Sequence, residues 1–230
     1  MSRWLAAAFR ADDSAYFHEP TVIVLVRHTR VAVPQGTIYG HSDVQLAASF
    51  VEEAEAVVER LIRLLNEHGK GVDDGRISVN IHSSPLSRCS RLASHIRQRL
   101  GSSSELALEI QGPISFDDRL REMNFGDWEN QTWLGVRDAG GETWGDNWET
   151  QATPNGESFP QLFERTCAFL EALIAATEAR TGASVEIVVT HSGVIRCLHA
   201  HVNGLARREA FSLSPEFGSV HLLKPPHRAN

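Results

Sequence analysis

The sequence predicts a three-layer α/β/α fold: a mostly parallel central sheet, helices on both faces, and a loop-and-helix cap inserted into it. Two observations carry this. Short apolar, β-branched runs at 21–26, 77–81 and 185–189 have the composition of strands buried on both faces, as parallel sheets require. Between them lie longer segments with apolar residues at helical spacing, and such an alternation of strands and helices builds a sheet covered on two sides.

In chain order, residues 1–20 show no clear period and mix Arg10, Asp12, Asp13 and His18, so they read as an N-terminal extension ending near Pro20. The only apolar run there, Trp4 to Phe9, is shorter than the apolar region of about 7–15 residues that a secretory signal needs. Thr21 to Val26 is the first strand. Ser49 with Glu52 offers a capping box, and Ala54, Val57, Val58, Leu61, Ile62 and Leu65 then recur at helical spacing until Gly69. A strand at Ile77–Ile81 runs into the turn HSSPLSR, and Leu86–Leu100 reads as a helix closed by Gly101. Residues 116–160, rich in Gly, Asp, Asn and Trp, are the expected cap. Phe159–Thr181 is a long amphipathic helix closed by Gly182, and Val185–Val189 is a buried strand ending in THSG. One domain over 21–230, with the cap inserted at about 116–160, accounts for the chain.

The formal charge is −7 with acidic and basic residues interspersed, which argues against a nucleic-acid or membrane partner. No apolar run is long enough to suggest a membrane span. Cys89, Cys167 and Cys197 are odd in number and lack CxxC pairing, so neither a disulfide framework nor a thiolate zinc site is expected, and a cytoplasmic location fits.

Ligands of open α/β sheets bind beyond the carboxyl ends of the strands, and three polar motifs sit there. Arg27 and His28 follow the first strand, Arg88 opens the helix after the second, and His191 ends the third; Glu122 comes from the cap. Phosphoryl transfer needs a nucleophile, cationic donors for the equatorial oxygens and an acid for the leaving oxygen, and these residue types supply all three without a metal or other cofactor.

Through LVRHT, SSPLSRCSRLA, LREMNFGDWE, PNGES and VVTHSGVIR the sequence resembles the histidine phosphatase superfamily, the phosphoglycerate-mutase-like fold. The resemblance implies that His28 attacks phosphorus as a neutral imidazole, its other ring nitrogen held by a backbone carbonyl. Arg27, Arg88 and His191 would surround the phosphate, backbone N–H groups near Ser192 and Gly193 would assist, and Glu122 would donate the proton. After RHT the segment RVAVPQGTIYGHSDVQL departs from the mutases and is similar to alpha-ribazole phosphatases of cobalamin assembly. Tyr39, Gly40 and Phe125 then fall where relatives contact substrate. The function so implied is hydrolysis of a small-molecule phosphoester, alpha-ribazole 5'-phosphate or a related cobalamin-pathway nucleotide; a homodimer is compatible with the sequence. The alternatives are a broad sugar-phosphate phosphatase, a phosphoglycerate mutase and a phosphate-binding module without catalysis.

Other residues have plainer readings. Asp117, Asp118, Asp127 and Glu129 are alternative carboxylates near Glu122, which only the family pattern selects. Arg91 solvates its helix, and Asp43 is a turn or capping carboxylate. His199 and His201, two apart, do not share a helix face and so do not read as metal ligands. Trp128, Trp133, Trp144 and Trp148 either anchor the cap or stack on an aromatic base, the former being the more common use.

Overall fold

The computed structural model describes residues 21–68, 77–103, 108–178, 180 and 184–223. The expected extension at 1–20 and the helix-ending glycines Gly69 and Gly182 lie outside these residues. The elements are β1 (Thr21–Arg27), α1 (Phe50–His68), β2 (Ile77–Ser83), α2 (Ser87–Gly101), β3 (Leu108–Ile110), β4 (Ser115–Phe116), α3 (Trp133–Val136), α4 (Gly141–Asn147), α5 (Phe159–Glu178), β5 (Ser184–Thr190), α6 (Ser192–Val202) and β6 (Val220–Leu223).

The strands lie in the order β3-β2-β5-β1-β6, with β4 also paired to β2. All pairings are parallel except β1 with β6. Successive side chains of a strand point to opposite faces, and the core divides accordingly. Val22, Val24, Val26, Val79, Ile81, Val185, Ile187 and Val189 pack with α1 and α2 on one face. Ile23, Leu25 and Val188 pack with α5 and α6 on the other. Each such side chain, fully buried, stabilises the fold by about 1.5–3 kcal/mol.

The helix starts are set differently from the sequence expectation. The capping box expected of Ser49 and Glu52 does not form: the Ser49 hydroxyl donates to Glu53 Oε1 at 2.5 Å instead of accepting from a first-turn N–H. Glu53 is favoured because Arg30 also reaches it, through its backbone N–H at 2.9 Å and its Nε at 2.7 Å; Glu52 stays exposed. α2 has no cap of its own, and Asp43 Oδ1 serves instead, accepting from the Ser87 N–H at 2.9 Å and hydroxyl at 2.7 Å. Gly101 is the last residue of that helix rather than the one after it. β3, β4 and β6 are too short to show a period in sequence.

Within 116–160 the chain forms short helical turns and the helices α3 and α4. Its tryptophans pack on one another: Trp133 stacks on Trp144 at 5.7 Å, and Trp128 and Phe125 meet them edge-on. Trp148 instead packs against Phe159 and Phe211. Backbone hydrogen bonds Ile38 N–H to Gln131 O (2.7 Å) and Asn130 N–H to Ile38 O (2.7 Å) tie this segment to the loop after β1.

A fully buried carboxylate sits in the middle of the sheet. Glu186 on β5 is fully buried, and it accepts hydrogen bonds from Asn80 Nδ2 (2.9 Å) and Arg180 Nη1 (2.8 Å) while His82 Nε2 lies 2.8 Å from its other oxygen. Removing Glu186 leaves the half-buried Asn80 and His82 without that partner, while the exposed Arg180 turns to water. Glu186→Ala is therefore expected to cost about 1–3 kcal/mol of stability in urea denaturation.

Candidate active site

The ladder between β5 and its two neighbours continues past the strand ends. The His28 N–H donates to Thr190 O and the Ser84 N–H to Val189 O, each at 3.0 Å, so His28, Ser84 and His191 emerge side by side. The rings of His28 and His191 lie 5.1 Å apart, edge to face, and Arg88 Nε is 3.2 Å from His191 Nδ1. Two imidazoles and a guanidinium from three distant motifs thus share one buried centre.

Their protonation follows from their partners. His28 Nδ1 lies 2.7 Å from Thr29 O. A carbonyl can only accept, so Nδ1 carries the proton and Nε2 presents a bare lone pair. Arg88 can only donate, so His191 Nδ1 is the acceptor, and its Nε2 proton points to Ser84 Oγ at 2.9 Å. Burial, reinforced by the Arg88 charge, holds both imidazoles well below the ordinary value of 6.5. Both are therefore neutral near pH 7. His191 is already bonded at both nitrogens, so a phosphoryl oxygen can take its proton only by displacing Ser84.

Arg88 is fully buried. Its Nη2 donates to Gly40 O at 2.6 Å and its Nη1 to Ser42 O at 2.9 Å. Carbonyl dipoles hold the guanidinium without cancelling its charge. Arg27 donates from Nη1 to Pro215 O at 2.6 Å and stacks on Phe217, 3.8 Å from the ring centre. Its Nε is one of four buried polar side-chain atoms without a partner among the described residues. Phe217 also lies 5.5 Å from the His28 ring, forming a wall that nothing in the sequence pattern announced.

Glu122 approaches from the cap. One oxygen accepts from its neighbour's N–H, Met123, at 3.1 Å, and the other from Gly193 N–H at 3.1 Å. The helix-start N–H expected near the phosphate is thus spent on this carboxylate. A Cβ at Gly193 would come within 2.2 Å of Glu122 Oε1, so glycine is required for the approach. The segment bearing Glu122 is nailed down by Arg165 of α5, which donates to the carbonyls of Arg119 (2.6 Å), Arg121 (2.8 Å) and Glu122 (2.9 Å) and pairs with Glu157 at 2.7 Å.

The remaining expected residues take varied places. Tyr39 has its ring 5.3 Å from the Arg88 guanidinium, and burial pushes its phenol up. Gly40 supplies the carbonyl that holds Arg88; a Cβ there would meet Met123 O at 1.7 Å. Phe125 backs Gly40 from the aromatic cluster of the cap. Ser192 is half-buried at the first position of α6. Among the described residues no three His, Cys, Asp or Glu side chains are grouped to hold a metal, and no helix is long and apolar enough to cross a membrane. The cysteines are all free and buried.

The sequence profile of the histidine phosphatase superfamily (branch 1) matches residues 23–229. The chain belongs to this superfamily. As a histidine phosphatase it shares 28% identity over 205 residues with phosphoglycerate mutase-like protein 4 of Arabidopsis thaliana, covering 87% of this chain and 77% of that one. Its fold is similar to that of the alpha-ribazole phosphatase from Shigella flexneri, with a TM-score of 0.65 at 22% identity, covering 91% and 100% of the two chains. It is equally similar to a mycobacterial glucosyl-3-phosphoglycerate phosphatase, with a TM-score of 0.66 at 22% identity, covering 86% and 88%.

Two outcomes follow for this phosphatase. Gly193→Ala displaces Glu122 and is expected to lower kcat by about 10²-fold, with a smaller effect on KM, in steady-state kinetics. Because the folded-state values of His28 and His191 lie below 6.5, the unfolded chain takes up protons below that pH while the folded one does not. Stability present above pH 6.5 is then lost as the pH falls. A melting temperature that stays flat or rises between pH 6.5 and 5 would contradict this.

Proposed function

We propose that this chain hydrolyses small phosphomonoesters through a phosphohistidine formed on His28. The observation that carries the reading is the bare Nε2 of a buried, neutral His28, oriented by its Nδ1 proton on Thr29 O beside the uncancelled charge of Arg88.

In the first step the Nε2 lone pair forms a bond to phosphorus as the phosphorus–oxygen ester bond breaks, and Glu122 delivers its proton to the departing oxygen. Arg88 and Arg27 bind the equatorial oxygens, and Arg27 Nε, buried without a partner, gains one. Such charge-assisted hydrogen bonds are worth about 1.5–3 kcal/mol each. In the second step Glu122, now ionised, takes a proton from water. The hydroxide forms the new bond to phosphorus, the nitrogen–phosphorus bond breaks, and its electron pair returns to Nε2.

The substrate we favour is a nucleoside-like phosphate such as alpha-ribazole 5'-phosphate, which would place the protein in cobalamin assembly. The Tyr39–Gly40 segment supports that choice; the fold likeness to an alpha-ribazole phosphatase agrees with it but is matched by that to a glucosyl-3-phosphoglycerate phosphatase. A cytoplasmic location is part of the reading, supported by three free cysteines.

His28→Ala is expected to lower phosphatase turnover by about 10⁴-fold or more and to abolish acid-labile labelling of the protein by a radioactive phosphoester. Glu122→Gln is expected to slow alkyl phosphates by about 10²–10⁴-fold and aryl phosphates with good leaving groups far less. A panel of alpha-ribazole 5'-phosphate, sugar phosphates and phosphoglycerates tests the substrate: uniform rates across the panel would remove the cobalamin assignment, and efficient isomerisation of phosphoglycerates would replace hydrolysis by mutase chemistry.

A further inference from the structure

The carboxylate of Glu129 collects the N–H groups of three successive residues and one more from its own turn. Gly40 donates to both oxygens at 3.0 Å, His41 to Oε1 at 2.8 Å, Ser42 to Oε2 at 3.0 Å, and Phe125 to Oε1 at 3.1 Å. Successive N–H groups turned to one point form a concave anion nest; here the anion is part of the chain. Burial alone would raise this carboxyl, yet the hydrogen bonds from Ser42, His41 and Phe125 keep it below the usual range.

A trans peptide is planar and its N–H and C=O point in opposite directions. Turning the His41 N–H onto Glu129 therefore turns the Gly40 carbonyl of the same peptide away from it, and that carbonyl receives Arg88 Nη2 at 2.6 Å. Two residues on, the Ser42 carbonyl receives Nη1 at 2.9 Å, and the Ser42 side chain is fixed by Asn130 Nδ2 at 2.9 Å. Gly40 has no room for a Cβ, which would lie 2.7 Å from Glu129 Oε1.

We propose that Glu129 is a positioning residue for the phosphate site: it shapes segment 40–42 into the two-carbonyl cradle that orients the Arg88 guanidinium toward the phosphoryl group and His191. The proposal rests on the phosphatase reading above. It also gives a reason for placing the carboxylate one peptide away from Arg88. A direct ion pair would neutralise the guanidinium, whereas the relay fixes its direction and leaves its charge for substrate.

The test is a double-mutant cycle on the full chain, read by kcat/KM, by the inhibition constant of orthovanadate, and by melting temperature. Glu129→Gln, which puts an amide donor against the N–H groups, is expected to lower kcat/KM by about 10–100-fold and to weaken orthovanadate by a similar factor at temperatures where the variant is fully folded. In an Arg88→Lys background the same substitution is expected to change either quantity by less than about two-fold, since coupled residues are non-additive. Should Glu129→Gln not fold, Glu129→Asp, which keeps the charge but withdraws it by one methylene, goes through the same cycle. Equal losses in both backgrounds, or wild-type orthovanadate affinity in the Glu129 variant, overturn the relay. Wild-type orthovanadate affinity in Arg88→Lys alone removes the phosphate pocket itself and the relay with it, which separates the two failures.

Discussion

The site depends on β5 lying in parallel between β1 and β2 in one register. Arg27 is opposite Thr190, and Val189 is opposite Ser83, so the chain leaves all three strands at the same level and on the same end of the sheet. A slip of one residue would send alternate side chains to the opposite face. His28 and its buried partners would then separate even though every strand remained formed. What opposes the slip is that the two faces differ: Val22, Val24 and Val26 fit one helix layer, Ile23 and Leu25 the other, and Glu186 of β5 meets Asn80 and His82 in one register alone.

Charge is handled by distance and by dipoles. A buried guanidinium costs several kcal/mol to desolvate, and the structure meets that cost for Arg88 with carbonyls and a neutral imidazole. The same cation discourages protonation of both histidines. The two features reinforce each other: a cation that is not neutralised keeps its neighbours uncharged, and uncharged neighbours leave it free for an anion. Carboxylates near the centre are each engaged elsewhere, Glu122 on Gly193 and Met123, Glu129 on segment 40–42, Glu157 on Arg165.

Much of this was legible in the sequence. The three central strands and the helices α1, α2 and α5 announced themselves because burial imposes a period on apolar residues, and the boundaries differed by a few residues where ladder bonds and distant caps extend or start an element. The placing of Arg27, His28 and His191 at one end of the sheet, with Arg88 on the helix after β2, was readable because strand-end position is itself a local signal. Phe217 was not, since its role comes from a short segment folding back beside β1. Glu129 stood among several acidic residues of similar local character, and only the path of its hydrogen bonds separates it from Asp127 or Asp118. Likewise a glycine such as Gly193 gives no sign of which side chain will occupy the space it leaves.

The antiparallel pairing of β6 with β1 has a consequence for the order of assembly. The Gly218 N–H donates to His28 O at 3.1 Å, and Phe217 and Pro215 reach the site just before β6 begins. The earliest strand in the sheet leads directly into His28, and the latest one closes the edge beside it. During synthesis, His28 therefore leaves the ribosome long before its wall exists, and a nascent chain whose parallel core has already formed still lacks a finished reaction chamber. The pocket around His28 is complete only when the fold is.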